Sequence, residues 1–461
     1  MGVDPPVPKH SIIRLVAVAA SVLTFSTGCI AVSGSVDGPS VGRRTPGGGL
    51  GRTGPVATGE ANEVVQRALK DVERFWSATY PTLSGGDAFR PVKGGYHPYT
   101  RSDPPPACGQ EQGEYQPNAF YCPVGDFIAW DAETLIPQLN ANFGPLLVGV
   151  VMAHEYGHAI QPRLGRSREA TIVLEQQADC FAGAWVGDVM AGRSQAYRDI
   201  QPEQLDSTVA GLLTLRDQPG TSATSEQAHG NAFDRVRAFQ EGIELDATRC
   251  ARYRADNLPV TEVAFTGEDD AARGGNLPYD DAVDLLSRSI QVYWERTFPK
   301  LADGRNWEPL RVTEFDPASP PDCEGLDTSA EVPSAFYCAS GDFVAFDGRE
   351  LGPALHEKIG DNAVGMLLGN LFAQAAQARR GVSTQGRDGQ LAVDCLAGSW
   401  THEVLHPTGS QDVELSPGDL DEAVTALLVF GRSAKSGDAS AFDRIAKFRS
   451  GVLQGLPACS G

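Results

Sequence analysis

The pattern His-Glu-x-x-His occurs twice in this chain, as "HEYGH" at His154–His158 and as "HEVLH" at His402–His406. Residues four apart share one face of a helix, so two such histidines can offer two imidazoles to one ion, with the glutamate between them set to one side. Zinc held by three protein ligands keeps a fourth position open for water, and a neighbouring carboxylate can take that water's proton. The chemistry expected at HEYGH is therefore hydrolysis of a carbonyl compound, with His154 and His158 as ligands and Glu155 as base. A third ligand is required. Glu175 in "LEQQADCFAGAW" is the candidate, because Leu174, Ala178, Phe181 and Ala182 mark a second buried helix, with Asp179 one turn beyond Glu175.

The elements that would position these groups are legible. "LLVGVVMAHEYGHAIQ" reads as a buried helix ending before Pro162, since proline breaks the helical ladder. Ahead of it, "AFYC" and "FIAWD" flank "PVGD" as a short hairpin would, and "EVVQRALKDVERFW" has apolar residues at helical intervals. The strand "FIAWD" is expected to offer a sheet edge to an extended substrate. His97, in "GGYHPYT", reads as a loop histidine.

HExxH followed by the helical segment Glu-x-x-Ala-Asp-Cys-x-Ala-Gly resembles the bacterial family of neutral zinc metallopeptidases, over about residues 60 to 255. That resemblance implies a zincin-like fold, zinc as cofactor, and a peptide or protein substrate. It also implies His154, His158 and Glu175 as zinc ligands and Glu155 as general base. The family is similar in a downstream "HG" before an Arg-containing helix, here His229 and Gly230 ahead of Arg235, and His229 is the candidate donor to a developing oxyanion.

The chain then repeats itself over a whole-domain period. "FWSATYP" pairs with "YWERTFP", "NAFYCPVGDFIAWD" with "SAFYCASGDFVAFD", "ADCFAGAW" with "VDCLAGSW" and "NAFDRVRAF" with "SAFDRIAKF". The pairing sets Asn370 on His154, Leu371 on Glu155, Gln374 on His158, Gln390 on Glu175 and Asp438 near His229. Asn and Gln are poor zinc ligands and Leu moves no proton. The second copy is expected to keep the fold without the site. Asp394 persists opposite Asp179 although no histidine is left to orient, so Asp179 has a structural role beside any role in holding His154; Arg235 with Arg444, and Gln161 with Gln377, read as structural for the same reason. His402 and His406 fall on Gly187 and Ala191, away from the zinc position, and HEVLH reads as a chance match at a helix end, where histidines meet the dipole favourably. The fold class expected is α+β, mainly helical, with tandem zincin-like domains and short hairpins. The expected segments are a signal at 1–28, a tether at 29–58, an active domain at 59–255, a linker at 256–276 and an inactive domain at 277–461.

Nine cysteines are an odd number. Eight match between copies, and the pairs expected are Cys108 with Cys122, Cys180 with Cys250, Cys323 with Cys338 and Cys395 with Cys459. Cys29 is left over. It closes "STGC" after the apolar run "LVAVAASVLTF", which follows Lys9, His10 and Arg14 in the manner of an export signal. That ending resembles the lipobox of bacterial lipoproteins, although Ser26 stands where Leu is usual, and it implies a lipid on Cys29 and a place on the outer side of the cytoplasmic membrane. The Gly-, Pro- and Ser-rich stretch that follows reads as a flexible tether. With 59 acidic against 38 basic residues and a net charge of −21, the chain is a poor partner for nucleic acid. Two other functions stay open on sequence alone: a non-catalytic scaffold or binding lipoprotein, and a zinc amidase acting on cell-wall amides. Oligomeric state is not readable.

Overall fold

The computed structural model describes residues 58–109, 115–222, 229–324, 333–408, 412–431 and 438–459. The expected signal at 1–28, Cys29, and the tether up to residue 57 lie outside the described residues. The fold is mainly helical with small mixed sheets, and one order of elements occurs twice. The first set is α1 (Thr58–Ser84), β1 (Gly95–Tyr99), β2 (Ala119–Cys122), β3 (Phe127–Asp131), α2 (Leu135–Phe143), α3 (Pro145–Arg163), α4 (Thr171–Met190), α5 (Pro202–Thr214) and α6 (Ala232–Cys250). A connector with the short helix α7 (Glu268–Ala272) leads to the second set. That set is α8 (Tyr279–Leu301), β4 (Arg311–Phe315), β5 (Ala335–Cys338), β6 (Phe343–Asp347), α9 (Leu351–Lys358), α10 (Asp361–Arg379), α11 (Gly386–Leu405), α12 (Asp419–Gly431) and α13 (Ala441–Gln454).

The sheets repeat too. β3 lies between β1, to which it is parallel, and β2, to which it is antiparallel; β6 lies in the same way between β4 and β5. Every residue of "FIAWD" is buried, so the expected edge strand is the central one, hydrogen-bonded on both sides, and the edges are β1 and β2. Four consecutive apolar residues, Phe127 to Trp130, are the mark of a strand covered on both faces. "GYHPY" is likewise a strand and not a loop; Pro98 has no N–H to give and is tolerated because β1 is an edge. His97 there bonds through Nε2 to the Gly94 carbonyl at 2.8 Å and packs on Phe127, so its ring serves the sheet.

α3 and α4 are buried nearly all round, α3 as its long apolar run requires and α4 with Gln176, Gln177 and Asp179 buried among its apolar residues. α3 runs through Pro162 to Arg163 instead of stopping before it. In a last turn the proline forfeits one ladder bond only, and Leu164 N and Arg166 N return to the carbonyls of Ile160 and Gln161 at 3.0 and 2.8 Å. α4 meets α6 backbone to backbone: a Cβ on Gly183 would lie 1.9 Å from the Phe239 carbonyl oxygen, and one on Gly242 equally close, at 1.9 Å, to that of Cys180. The Cys180–Cys250 disulfide joins the same two helices. Gly398 and Gly451 make the corresponding approach between α11 and α13, beside Cys395–Cys459. Cys108–Cys122 and Cys323–Cys338 close the loops ahead of β2 and β5. No helix among the described residues is long and apolar enough to cross a membrane.

Candidate metal centre

α3 and α4 cross where Gly157 sits against Ala178, a built Cβ there reaching the Ala178 Cα at 3.0 Å. That close approach brings the HEYGH face of α3 onto Glu175. His154 Nε2 lies 3.1 Å from His158 Nε2, and the Glu175 carboxylate oxygens lie 3.4 Å from the first and 3.3 Å from the second. The three residues offer ligand atoms all within 4.8 Å of one another.

The hydrogen-bond network fixes which ring nitrogens are bare. His154 Nδ1 faces Asp179 Oδ1 at 2.8 Å, a carboxylate that can only accept, so Nδ1 carries the proton. His158 Nδ1 faces Gln161 Oε1 at 3.1 Å, and the amide is oriented because its Nε2 donates to the Leu174 carbonyl at 2.6 Å. In the neutral rings both Nε2 atoms therefore present lone pairs to each other and to a carboxylate. Glu175 Oε2 is buried without a hydrogen-bond partner. Three acceptors aimed at one point repel unless a cation lies among them, and two imidazoles with a carboxylate are the donor set of a catalytic zinc site. These residues fit zinc.

The electrostatics agree. Burial works against a charged His154, yet Asp179 and then Glu175 carry its pKa up to about 10; burial likewise opposes charge on His158, which Glu175 raises. Burial pushes Glu175 upward, and the two histidines more than reverse it, so its carboxyl lies well below the ordinary range. A bound cation would take the place of the protons these carboxylates draw onto the rings. Glu155 is buried, and that burial raises its pKa against the pull of both histidines. Its Oε2 accepts the Tyr121 amide at 2.9 Å, so the outer edge of β2 holds the carboxylate.

Behind the rings, Asp179 is shared. Arg235 grips both its oxygens at 2.9 Å through Nε and Nη2. In the second set Arg444 grips Asp394 in the same way, at 2.7 and 2.9 Å, and reaches Asn370 Oδ1 at 3.3 Å. The clamp between the two helices is thus common, and the bond to a histidine is particular to Asp179. Gln161, expected to be structural, also orients His158; Gln377 instead accepts from Arg380. A Gln three residues after a ligand histidine could have signalled that contact, one turn along the helix. The Tyr121 amide left no trace in sequence, since any residue carries one.

His229 does not join the cluster. It stands ahead of α6 with its side chain about half exposed (53%), and Nδ1 is 3.6 Å from Asp217 Oδ1, while the His229 and Gly230 amides both donate to Asp217 Oδ2 at 2.8 Å. His402 and His406 pack ring to ring at 4.9 Å at the end of α11, with His402 Nδ1 on the Val452 carbonyl at 2.8 Å. Among the described residues no carboxylate completes a group of three ligands with them.

The comparisons point the same way. A family model described as "Putative neutral zinc metallopeptidase" matches residues 12–253. The uncharacterized protein Rv2575 of Mycobacterium tuberculosis (strain ATCC 25618 / H37Rv) is 28% identical over 176 residues, which cover 33% of this chain and 59% of the relative. Uncharacterized protein Mb2605 of Mycobacterium bovis (strain ATCC BAA-935 / AF2122/97) matches to the same extent. The chain thus spans about three fifths of these mycobacterial relatives' length. The uncharacterized protein YpfJ of Escherichia coli (strain K12) is 25% identical over 211 residues, or 41% of this chain and 71% of the relative. No solved structure matches. The family match covers more than half of the sequence and contains the whole His154, His158 and Glu175 cluster, so this chain belongs to the neutral zinc metallopeptidase family, whose cofactor is zinc.

Proposed function

We propose that the first set of elements hydrolyses peptide bonds, with zinc held by His154, His158 and Glu175 and with Glu155 as general base. The observation that carries this reading is the convergence of two bare imidazole nitrogens and a buried, unpartnered carboxylate oxygen. Zinc bound there supplies a Lewis acid that polarises a carbonyl and lowers the pKa of water toward about 7. Glu155 takes the proton of the attacking water and returns it to the leaving amine nitrogen. The Tyr121 amide keeps one of its oxygens in place. Asp179 and Gln161 hold the rings in the tautomer that leaves both Nε2 atoms free. The family resemblance makes His229, whose Nδ1 lies 3.6 Å from Asp217 Oδ1, the candidate donor to the oxyanion. A lipid on Cys29 and the tether after it would hold this activity on the outer side of the cytoplasmic membrane, and the second set, a zincin-like domain without its ligands, would have lost catalysis.

One observation favours a second reading, a binding or scaffold lipoprotein: the second set stands complete with Asn370, Leu371, Gln374 and Gln390 in place of the ligands and base. A structural zinc, however, has no use for a carboxylate held between its histidines. Elemental analysis of the full chain separates the readings when paired with a quenched-fluorescent peptide library. We expect one zinc per chain, lost in His158→Ala. Glu155→Gln keeps the Tyr121 contact, because the amide oxygen still accepts, so zinc stays while cleavage falls by about 10²–10⁴. Wild type without zinc, or zinc that survives His158→Ala, overturns the ligand assignment; full cleavage by Glu155→Gln overturns the mechanism.

A further inference from the structure

A second group of converging ligands lies in the other half of the chain, away from HEYGH. Asp361 opens α10, Asp419 and Glu422 lie in the first turn of α12, and each offers a carboxylate oxygen within 4.8 Å of the others. All three are buried, and among the described residues none forms an ion pair. Asp270 of α7 adds a fourth carboxylate alongside, bonded to Ser416 Oγ at 2.9 Å. The cationic groups around them are turned to other tasks: Arg216 pairs with Asp421 at 3.1 Å, His356 bonds the Leu277 carbonyl at 2.7 Å, and Arg273, on the same cavity wall, donates through Nε to the Asn276 carbonyl at 3.1 Å. Burial raises the pKa of Asp361 and Asp419 and pushes Glu422 up to about 8, with mutual repulsion adding to each.

Crowded acids alone would not point to a ligand, but buried oxygens without donors do, one on Asp361 itself and one beside it on Asn362. Asp361 Oδ1 is buried without a hydrogen-bond partner, its other oxygen accepting the Leu277 amide at 2.8 Å. Asn362, a neutral residue only 2% exposed, has Oδ1 in the same condition while its Nδ2 donates to the Asp419 carbonyl at 2.7 Å. Asp361, Asn362, Asp419 and Asp270 line a cavity of about 260 Å³. Buried oxygens without donors are costly, and a cation among the carboxylates at the cavity wall would relieve that of Asp361 directly. Oxygen ligands alone, with neither imidazole nor thiol, suit a hard ion of six to eight ligands.

The repeat supplies a control. α3 and α10 are both 19 residues long, so Asp361 stands opposite Pro145, and matching "LDSTVAGLL" of α5 to "LDEAVTALL" of α12 sets Asp419 opposite Gln204 and Glu422 opposite Ser207. The first set cannot form this group. The acids are present only in the set that lacks the zinc ligands, where they meet the connector through Leu277 and Asp270.

We infer that Asp361, Asp419 and Glu422 hold one divalent cation of the calcium class, which fastens the connector to α10 and α12. The site is independent of the zinc cluster. Calcium titration of the full chain by calorimetry, after treatment with EGTA, tests it. The expected result is one calcium ion per chain in wild type and equally in His158→Ala, with affinity lowered at least 100-fold in the Asp419→Asn/Glu422→Gln double variant. Thermal melting adds a reading that a merely damaged fold would not reproduce. Calcium raises the wild-type midpoint but not the variant's, and in calcium-free buffer the variant, relieved of like-charge repulsion, melts no lower than wild type. Should the double variant not fold, Asp419→Asn alone takes its place. Absence of calcium binding in wild type, or binding of unchanged affinity in the variant, overturns the inference.

Discussion

At the scale of residues, HEYGH sets His154 and His158 on one face of α3, where they meet Glu175 of α4. His154, Glu155 and His158 follow from one turn of helix, and Glu175 from a second buried helix that had to present a carboxylate. What could not be read were contacts made by groups common to every residue, such as the Tyr121 amide on Glu155, or by side chains with a second occupation, such as Gln161. The Gln161 contact leads to a prediction. Gln161→Met keeps the side chain's length but removes the acceptor facing His158 Nδ1, so the ring loses its fixed tautomer. Zinc affinity should fall about 10- to 100-fold, measured by competition with a chromogenic chelator, whereas Gln377→Met in the second set should leave it unchanged. Equal losses in both would mean that Gln161 acts through the fold and not on the ligand. Asp179 is a poorer probe, because removing it also strands the buried Arg235 guanidinium.

At the scale of elements, helices were legible from apolar periodicity, and the hairpin from its turn residues. Strand placement was harder to read: β3 is a strand as expected, but its four consecutive apolar residues set it at the centre of the sheet and not at its edge, and β1 contains a proline, so neither shows the alternation that marks a half-buried strand. Helix crossing was not readable either, since a glycine in a helix says nothing by itself about what approaches it. The structure supplies the partner. Gly242 faces the Cys180 carbonyl and the Ala184 amide, backbone atoms that cannot rotate away. Gly242→Ala should cost about 3 kcal/mol, at the upper end for overpacking, by urea denaturation of the oxidised protein. Gly59→Ala, with nothing within 4 Å of the added carbon, should stay within about 0.5 kcal/mol and serves as the control. A loss at Gly242 no larger than at Gly59 would mean that α4 and α6 can separate, and that the disulfide alone keeps them near each other.

At the scale of the whole molecule, the repeat was plain in the sequence, but how the halves meet was not, because a repeated segment does not say which of its residues face the other half. The described contacts are reciprocal. Asp206 of α5 accepts the Phe442 amide at the start of α13 at 2.7 Å, and Asp421 of α12 accepts the Phe233 amide at the start of α6 at 2.9 Å. Each half thus places a carboxylate at the positive end of a helix in the other, where backbone amides lack partners within their own helix. Gln240 on the Phe442 carbonyl at 2.9 Å and Phe233 against Phe448 fill the space between. α6 also carries Arg235, which holds Asp179 behind His154, so the second half supports the metal centre at one remove without contributing a ligand. Asp206→Ala should therefore destabilise the chain by about 1–2 kcal/mol. It should leave zinc stoichiometry at one per chain, since the helix it caps belongs to the half without the ligands. Asp421→Ala uncaps α6 itself and frees Arg216, so the same loss of stability should come with weaker zinc binding, read in one experiment as thermal midpoint against zinc affinity. If both variants lose stability and neither moves zinc affinity, the second half props up the first without tuning its centre. If Asp421→Ala moves both, the second half is part of what keeps the first in order.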